Sequence, residues 1–208
     1  MPSNTPALFN SFRGRLASIE TTRKKAEVLL RANSLSRRDV ERIYCGLFLE
    51  SVTNFESYIE RMFLGILTTR IQHPSAQVRA KVSFRSDRLC KDVVYGRKQR
   101  FVDWLPYERT EENAAIFLEN GYPFTKVPGD KKQLIKKIGI IRNAIAHKSP
   151  HSHKQFIKQV LSGTSYTSVE EKPGGYLRSI YITVPSQTRF QEAIITLLIS
   201  AKTIAGIR

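Results

Sequence analysis

Cysteine is scarce in this chain: two residues in 208, Cys45 and Cys90. A disulfide framework and a cysteine-rich zinc site both need more thiols than that, so neither is expected. Long apolar runs are missing as well. The longest candidate, Ala193 to Ile204, is interrupted by Thr196, Ser200, Lys202 and Thr203 and falls short of the roughly 20 apolar residues of a membrane-spanning helix. Met1 to Asn10 lack the charged start and apolar stretch of a secretory signal. Phosphate-cradling glycine patterns are absent too. Without a G-x-x-x-x-G-K or G-x-G-x-x-G run, a P-loop, kinase or Rossmann enzyme is disfavoured. Cys45 lies in an apolar helical run and reads as a reduced core residue, so the expected setting is soluble, reducing and cytoplasmic.

Acidic residues are the other shortage. Against 34 Lys+Arg stand 18 Asp+Glu, a formal net charge of +16 at pH 7. A surplus of that size favours a polyanionic partner, nucleic acid ahead of an acidic protein. It is unevenly spread. Residues 106–125 carry Glu108, Glu111, Glu112 and Glu119 against Arg109 alone, whereas residues 126–148 carry six lysines and Arg142 against Asp130 alone. The hydrophobic fraction of 41% is that of a globular chain able to bury a core.

The dominant period is helical. Ala17 to Leu30 mixes apolar and charged positions as a surface helix does. Ser36 opens a long helix to about Arg70, with Asp39 and Glu41 suiting the positive end of its dipole. Leu47, Phe48, Val52, Phe55, Ile59, Met62, Phe63 and Ile66 give it a wide apolar face, which suits the spine of a bundle. A helix is expected over about Glu111 to Asn120. Asp130 reads as the N-cap of the next one, whose Leu134, Ile138, Ile141 and Ile145 form an apolar stripe. Ser149-Pro150 reads as N-cap and first helical residue of another, through about Leu161. Gly174-Gly175, between Tyr166–Val169 and Tyr176–Val184, predicts a β-hairpin turn, and a last helix is expected over about Gln187 to Ile204.

The chemistry-bearing stretch is Arg142-Asn143-Ala144-Ile145-Ala146-His147. Arginine grips phosphate oxygens through a planar fork, and histidine exchanges protons near neutral pH. Asn143 and His147 lie four apart on one helical face, so the amide can orient the imidazole. Arg142 and His147 diverge by about 140° on an ideal helix, so one copy does not form a compact site; a symmetric dimer can bring two motifs to one groove. A structural role as a helix end, with arginine and histidine capping carbonyls and pairing with acids, is the bland alternative. His147 and His151 stand four apart, but Pro150 lies between them and no carboxylate is near, so an anion-binding rim is favoured over a metal site. Trp104, Tyr107, Tyr122, Tyr166, Tyr176 and Tyr181 are candidates for base stacking, though most such residues pack internally; Tyr181 is the one expected on an exposed strand face.

The motif resembles the R-x4-6-H signature of the HEPN superfamily, and Asn54-Phe55-Glu56-Ser57-Tyr58-Ile59-Glu60 resembles the aromatic-acid-x-Tyr segment of several prokaryotic HEPN families. The resemblance covers roughly residues 36–161. It implies a mainly α fold, a HEPN-like helical bundle with its core at about 36–161. The β-hairpin at about 165–184 departs from a minimal HEPN bundle and reads as an insertion, and with the C-terminal helix at about 187–204 the whole makes one domain over 1–208. The implied activity is metal-independent endoribonuclease action by 2′-hydroxyl attack, as in toxins or phage-defence effectors, without cofactor. Arg142, Asn143 and His147 would be catalytic, and Lys132, Lys136, Lys137, Lys148 and His151 would bind RNA. The family pattern does not fix the partner of Arg142; of Glu56 and Glu60 on the facing helix, either of which can pair with it and orient it, Glu56 is favoured over a solvated helix face. A homodimer with a composite site is implied, with an antitoxin or other regulatory protein as a further partner. The alternatives are a non-catalytic RNA- or nucleotide-binding module and an antitoxin-partnered interaction protein.

Overall fold

The computed structural model of the chain describes residues 3–96, 103–162 and 165–207. Among these residues there are eight α-helices: α1 (Thr5–Arg31), α2 (Arg37–Leu67), α3 (Asp87–Tyr95), α4 (Tyr107–Phe117), α5 (Gly129–His147), α6 (Pro150–Gln159), α7 (Pro173–Arg178) and α8 (Arg189–Ala205). Four short strands accompany them: β1 (Ser3–Asn4) parallel to β2 (Ile71–Gln72), and β3 (Ile180–Thr183) antiparallel to β4 (Ser186–Thr188). The protein is therefore mainly α, as the helical period predicts. No helix among the described residues is long and apolar enough to cross a membrane. The chain packs as two compact units, each drawn from separate segments.

The first unit holds the described residues of Met1–Arg13, Phe55–Gln133 and Leu198–Arg208. The wide apolar face of α2 supplies its centre. Phe63 lies 5.1 Å from Trp104, 5.6 Å from Phe124 and 5.9 Å from Phe117, ring centre to ring centre, and Phe12 lies 5.1 Å from Tyr58. Each such ring contributes about 1.5–3 kcal/mol through burial. Trp104 and Tyr107 are core residues here, which removes both from the candidate base-stacking set. The Tyr58 hydroxyl donates to the Ala201 carbonyl at 2.8 Å, and the Thr5 hydroxyl to the Ala205 carbonyl at 2.9 Å. Those bonds tie α8 to both α1 and α2.

The second unit holds Gly14–Asn54 and the described residues of Leu134–Leu197. Tyr44 packs edge-on against Phe190 at 5.4 Å, and Phe156 edge-on against Tyr176 at 5.7 Å. Helix α2 starts after Ser36, whose Oγ accepts from the Asp39 N–H while the Asp39 carboxylate accepts from the Ser36 N–H, each at 3.2 Å. That reciprocal pair satisfies two of the donors a helix start leaves open.

Four boundaries depart from the sequence reading. Helix α1 begins at Thr5, well before Ala17, because Leu8, Phe9, Phe12 and Leu16 are buried along it. Helix α4 begins at Tyr107, immediately after Pro106, and stops at Phe117; Asn120 and Gly121 have φ of +53° and +64°, outside the helical region. Asp130 is not an N-cap. The Pro128 carbonyl already accepts from the Lys132 N–H at 3.0 Å, so α5 begins ahead of Asp130, whose carboxylate pairs with Lys131 at 3.0 Å in the first turn. Most consequentially, Gly174-Gly175 is not a hairpin turn. Pro173 sits at the start of α7, and the two glycines lie within that helix. A Cβ on Gly175 would stand 2.1 Å from the Val169 carbonyl oxygen, and one on Gly174 would stand 2.8 Å from the Glu41 carbonyl oxygen. The glycines permit close backbone approach, and the hairpin, shorter than expected, turns instead at Val184-Pro185.

Candidate functional site

The motif occupies the last turns of α5, in the second unit. Ile135, Ile138, Ile141 and Ala144 are its buried positions, spaced three apart, so Leu134 and Ile145 of the expected stripe are only half-buried. Lys136, Asn143 and His147 are exposed. At about 100° per residue these three fall within roughly 40° of one another, giving a polar ridge along the helix. Arg142 is half-buried and stands about 140° round the helix from His147 on the same arithmetic. The helix ends where Lys148 takes a left-handed φ of +45°. Ser149 then caps α6: its Oγ accepts from the Ser152 N–H at 3.1 Å, and Ser152 Oγ accepts from the Ser149 N–H at 3.2 Å. With Pro150 as first helical residue, this start is the one the sequence predicts.

The polar groups of the ridge are largely uncommitted. Arg142 donates from Nη1 to Asn143 Oδ1 at 3.0 Å, so the amide oxygen is turned to the guanidinium and not to the imidazole. A neutral acceptor leaves the arginine's charge available to an anion. His147, exposed at the helix end, has no hydrogen-bond partner among the described residues; the same holds for the exposed Lys136, Lys137 and His151. Lys148 is exposed and close enough to Cys45 to act on its thiol. Burial, reinforced by Glu41 and opposed by Lys148, pushes the Cys45 thiol up to about 11, which leaves it protonated and unreactive at neutral pH.

Lys132 and Glu56 belong to the first unit. The Lys132 ammonium is engaged by the Glu111 carboxylate at 2.6 Å and by the Thr125 carbonyl at 3.4 Å, so it braces the start of α5 against α4. Glu56 is half-buried on α2. Among the described residues no three His, Cys, Asp or Glu side chains gather as a metal-binding set. Tyr166 and Tyr176 pack on each other at 5.9 Å, Tyr122 lies beneath the Lys126 ammonium at 5.4 Å, and Tyr181 is exposed on β3 as expected.

Sequence reasoning missed another polar feature of the second unit. A cavity of about 770 Å³ is walled by Arg23, Glu27, Arg31, Arg37, Tyr44, Glu170 and Arg178, with Ile180, Ser186 and Thr188 of the hairpin along its border. Its floor is a chain of bonds. Arg23 donates from Nε and Nη2 to the two oxygens of Glu20, both at 2.7 Å, and from Nη1 to the Tyr44 hydroxyl at 2.8 Å. That hydroxyl donates to Glu27 at 2.8 Å, and Glu27 accepts two bonds from Arg178 at 2.8 and 3.0 Å. The Arg178 guanidinium holds the Glu27 carboxyl below its usual range, and burial pushes Tyr44 up to about 12. Partners 151 positions apart leave no local sequence signal for such a cavity. No protein-family model, no curated protein and no solved structure matches this chain.

Proposed function

We propose that the protein is a HEPN-like, metal-independent endoribonuclease whose site is built on the exposed ridge at the end of α5. The supporting observation is the state of His147: an exposed imidazole without a hydrogen-bond partner among the described residues, flanked by Arg142, Asn143 and several uncommitted cations. A purely structural helix end would engage these groups in caps and ion pairs. In the proposed reaction the 2′-hydroxyl of RNA attacks the adjacent phosphorus, the O2′–P bond forms and the P–O5′ bond breaks. His147 takes the hydroxyl proton or supplies one to the leaving 5′-oxygen. Arg142 neutralises charge developing on the phosphoryl oxygens, and Asn143 holds its guanidinium. Lys136, Lys137, Lys148 and His151 hold the RNA backbone. The divergence of Arg142 and His147 on one helix is met by a symmetric pair of chains, each supplying one motif to a shared groove.

That same divergence favours one competing reading, in which the ridge grips phosphate without cleaving it. Cleavage of single-stranded and structured RNA in EDTA separates the two. Wild type is expected to yield 2′,3′-cyclic phosphate and 5′-hydroxyl ends, with rates lowered about 100-fold or more in His147→Ala and Arg142→Ala. Binding of RNA by wild type and His147→Ala, weakened in Arg142→Ala, without cleavage by any would establish the phosphate-gripping reading. Equal cleavage by wild type and both variants would dismiss the site.

A further inference from the structure

The β3–β4 hairpin is bare. Ile180 is 61% exposed, Tyr181 45%, Ile182 37% and Val184 87%, and none of Ile180 to Thr188 carries a charge. Among the described residues neither strand has a second neighbour, so each presents outward-facing N–H and C=O groups. Folded proteins usually blunt such an edge with lysines, bury it or pair it. Tyr181, at the irregularity between Ile180 and Ile182, has the Arg189 guanidinium 4.4 Å from its ring centre.

Beside this edge lies the arginine-walled cavity, which Ile180, Ser186 and Thr188 border. Its floor pairs are neutral overall and rigid: Arg23 is fixed by Glu20, and Arg178 by Glu27. The donors left over point to what enters. Arg31 is exposed and meets no carboxylate among the described residues. Arg37 is bonded to Glu41 through Nε, and Arg178 to Glu27 through Nε and Nη2. Glu170, bonded to Thr167, also lines the cavity and lies within electrostatic reach of Arg37, but the Nη groups of Arg31 and Arg37 donate to no carboxylate among the described residues and can fork onto one that enters.

We infer that the hairpin edge and the adjoining cavity form one docking surface for an extended acidic segment of a partner protein. Backbone pairing with the edge supplies affinity, apolar side chains of the segment cover Ile180 and Ile182, and its carboxylates enter the cavity toward Arg31, Arg37 and Arg178. Charge complementarity selects an acidic occupant, since four arginines line the cavity against Glu27 and Glu170. The exposed apolar strand selects a peptide over a small anion, which would leave the hairpin uncovered. None of these residues belongs to the α5 ridge, so the inference stands apart from the ribonuclease proposal.

Fluorescence anisotropy with the whole chain tests it. The probe is a fluorescein-labelled, N-acetylated heptapeptide alternating valine and glutamate. Controls replace glutamate by lysine, or methylate alternate backbone nitrogens. Saturable binding is expected below about 100 µM for the glutamate peptide, with affinity at least about ten-fold weaker for both controls. The Arg31→Glu/Arg37→Glu protein, with an unchanged circular dichroism spectrum, is expected to lose about ten-fold or more. The surface assignment is overturned by no saturation up to about 1 mM, by equal binding of either control peptide, or by indifference to the charge reversal. Binding of inorganic pyrophosphate where the peptide fails would make the cavity a small-anion site and likewise overturn it.

Discussion

His73 is held to one tautomer by its two neighbours. Nε2 lies 3.0 Å from the Ile204 carbonyl oxygen and must donate, while Nδ1 accepts from the Ser75 N–H at 3.1 Å. A proton on Nδ1 would have to break the second bond. Partial burial is the largest effect and lowers the histidine's proton affinity in the folded protein, outweighing the bond from Nε2 to the Ile204 carbonyl, which favours the charged ring. The unfolded chain then binds more protons in the acid range. Stability from this residue is complete above the unfolded value of about 6.5 and falls as the pH drops from there toward the folded one. A lower denaturant midpoint at pH 5.5 than at pH 7.5 is expected, with much of the difference removed in His73→Gln; a pH-independent midpoint would contradict it. At this scale the sequence is informative about type and poor about partner. Arg142, Asn143 and His147 are legible as polar positions of α5, and the structure leaves them exposed or half-buried. That Asn143 serves Arg142 and not His147 depends on the reach of an arginine round the helix, which no spacing rule contains. Trp104 shows the reverse: nothing in its surrounding charges signals that Phe63 will enclose it.

Among elements, α7 is the instructive one. Two adjacent glycines between β-rich segments read as a turn because glycine relieves backbone strain. Here they serve a second property of glycine, the missing side chain, at a place where α7 approaches the Val169 and Glu41 backbone. Gly175→Ala is therefore expected to destabilise the protein by about 1–3 kcal/mol through overpacking, despite the better helix propensity of alanine. A thermal melt unchanged or raised by that substitution would contradict the packing argument. The cap of α6 was readable because Ser149, Pro150 and Ser152 act within one turn. The placement of α7 was not, because one of the two backbones it approaches, that of Glu41 in α2, lies more than a hundred positions away. The long apolar face of α2 falls between these cases: its burial was legible, whereas the rings it would meet were not.

For the molecule as a whole, helical content and positive charge were both readable from composition and period. The division into two discontinuous units was not, since it depends on which distant segments pair. If the charge serves RNA binding at the α5 ridge, affinity should fall steeply with ionic strength. Each backbone phosphate engaged contributes a slope of about −0.7 in log K against log salt for a single strand. Removing the charges of Lys136 and Lys137 together is expected to flatten that slope by about 1.4, with little change in stability because both side chains are exposed. Titrations at several salt concentrations measure it directly, and an unchanged slope would place the RNA elsewhere on the protein.

The interleaving of the two units has a consequence for how the chain comes into being. The Thr5 hydroxyl waits for the carbonyl of Ala205, and Glu20 waits for Gln191, which donates to it at 3.1 Å. On a translating ribosome both units therefore stay open through most of synthesis, although the Arg142–His147 motif has long since been made. Neither can be isolated by a single cut, and a nascent chain carrying every residue of the motif is still without the scaffold that positions it.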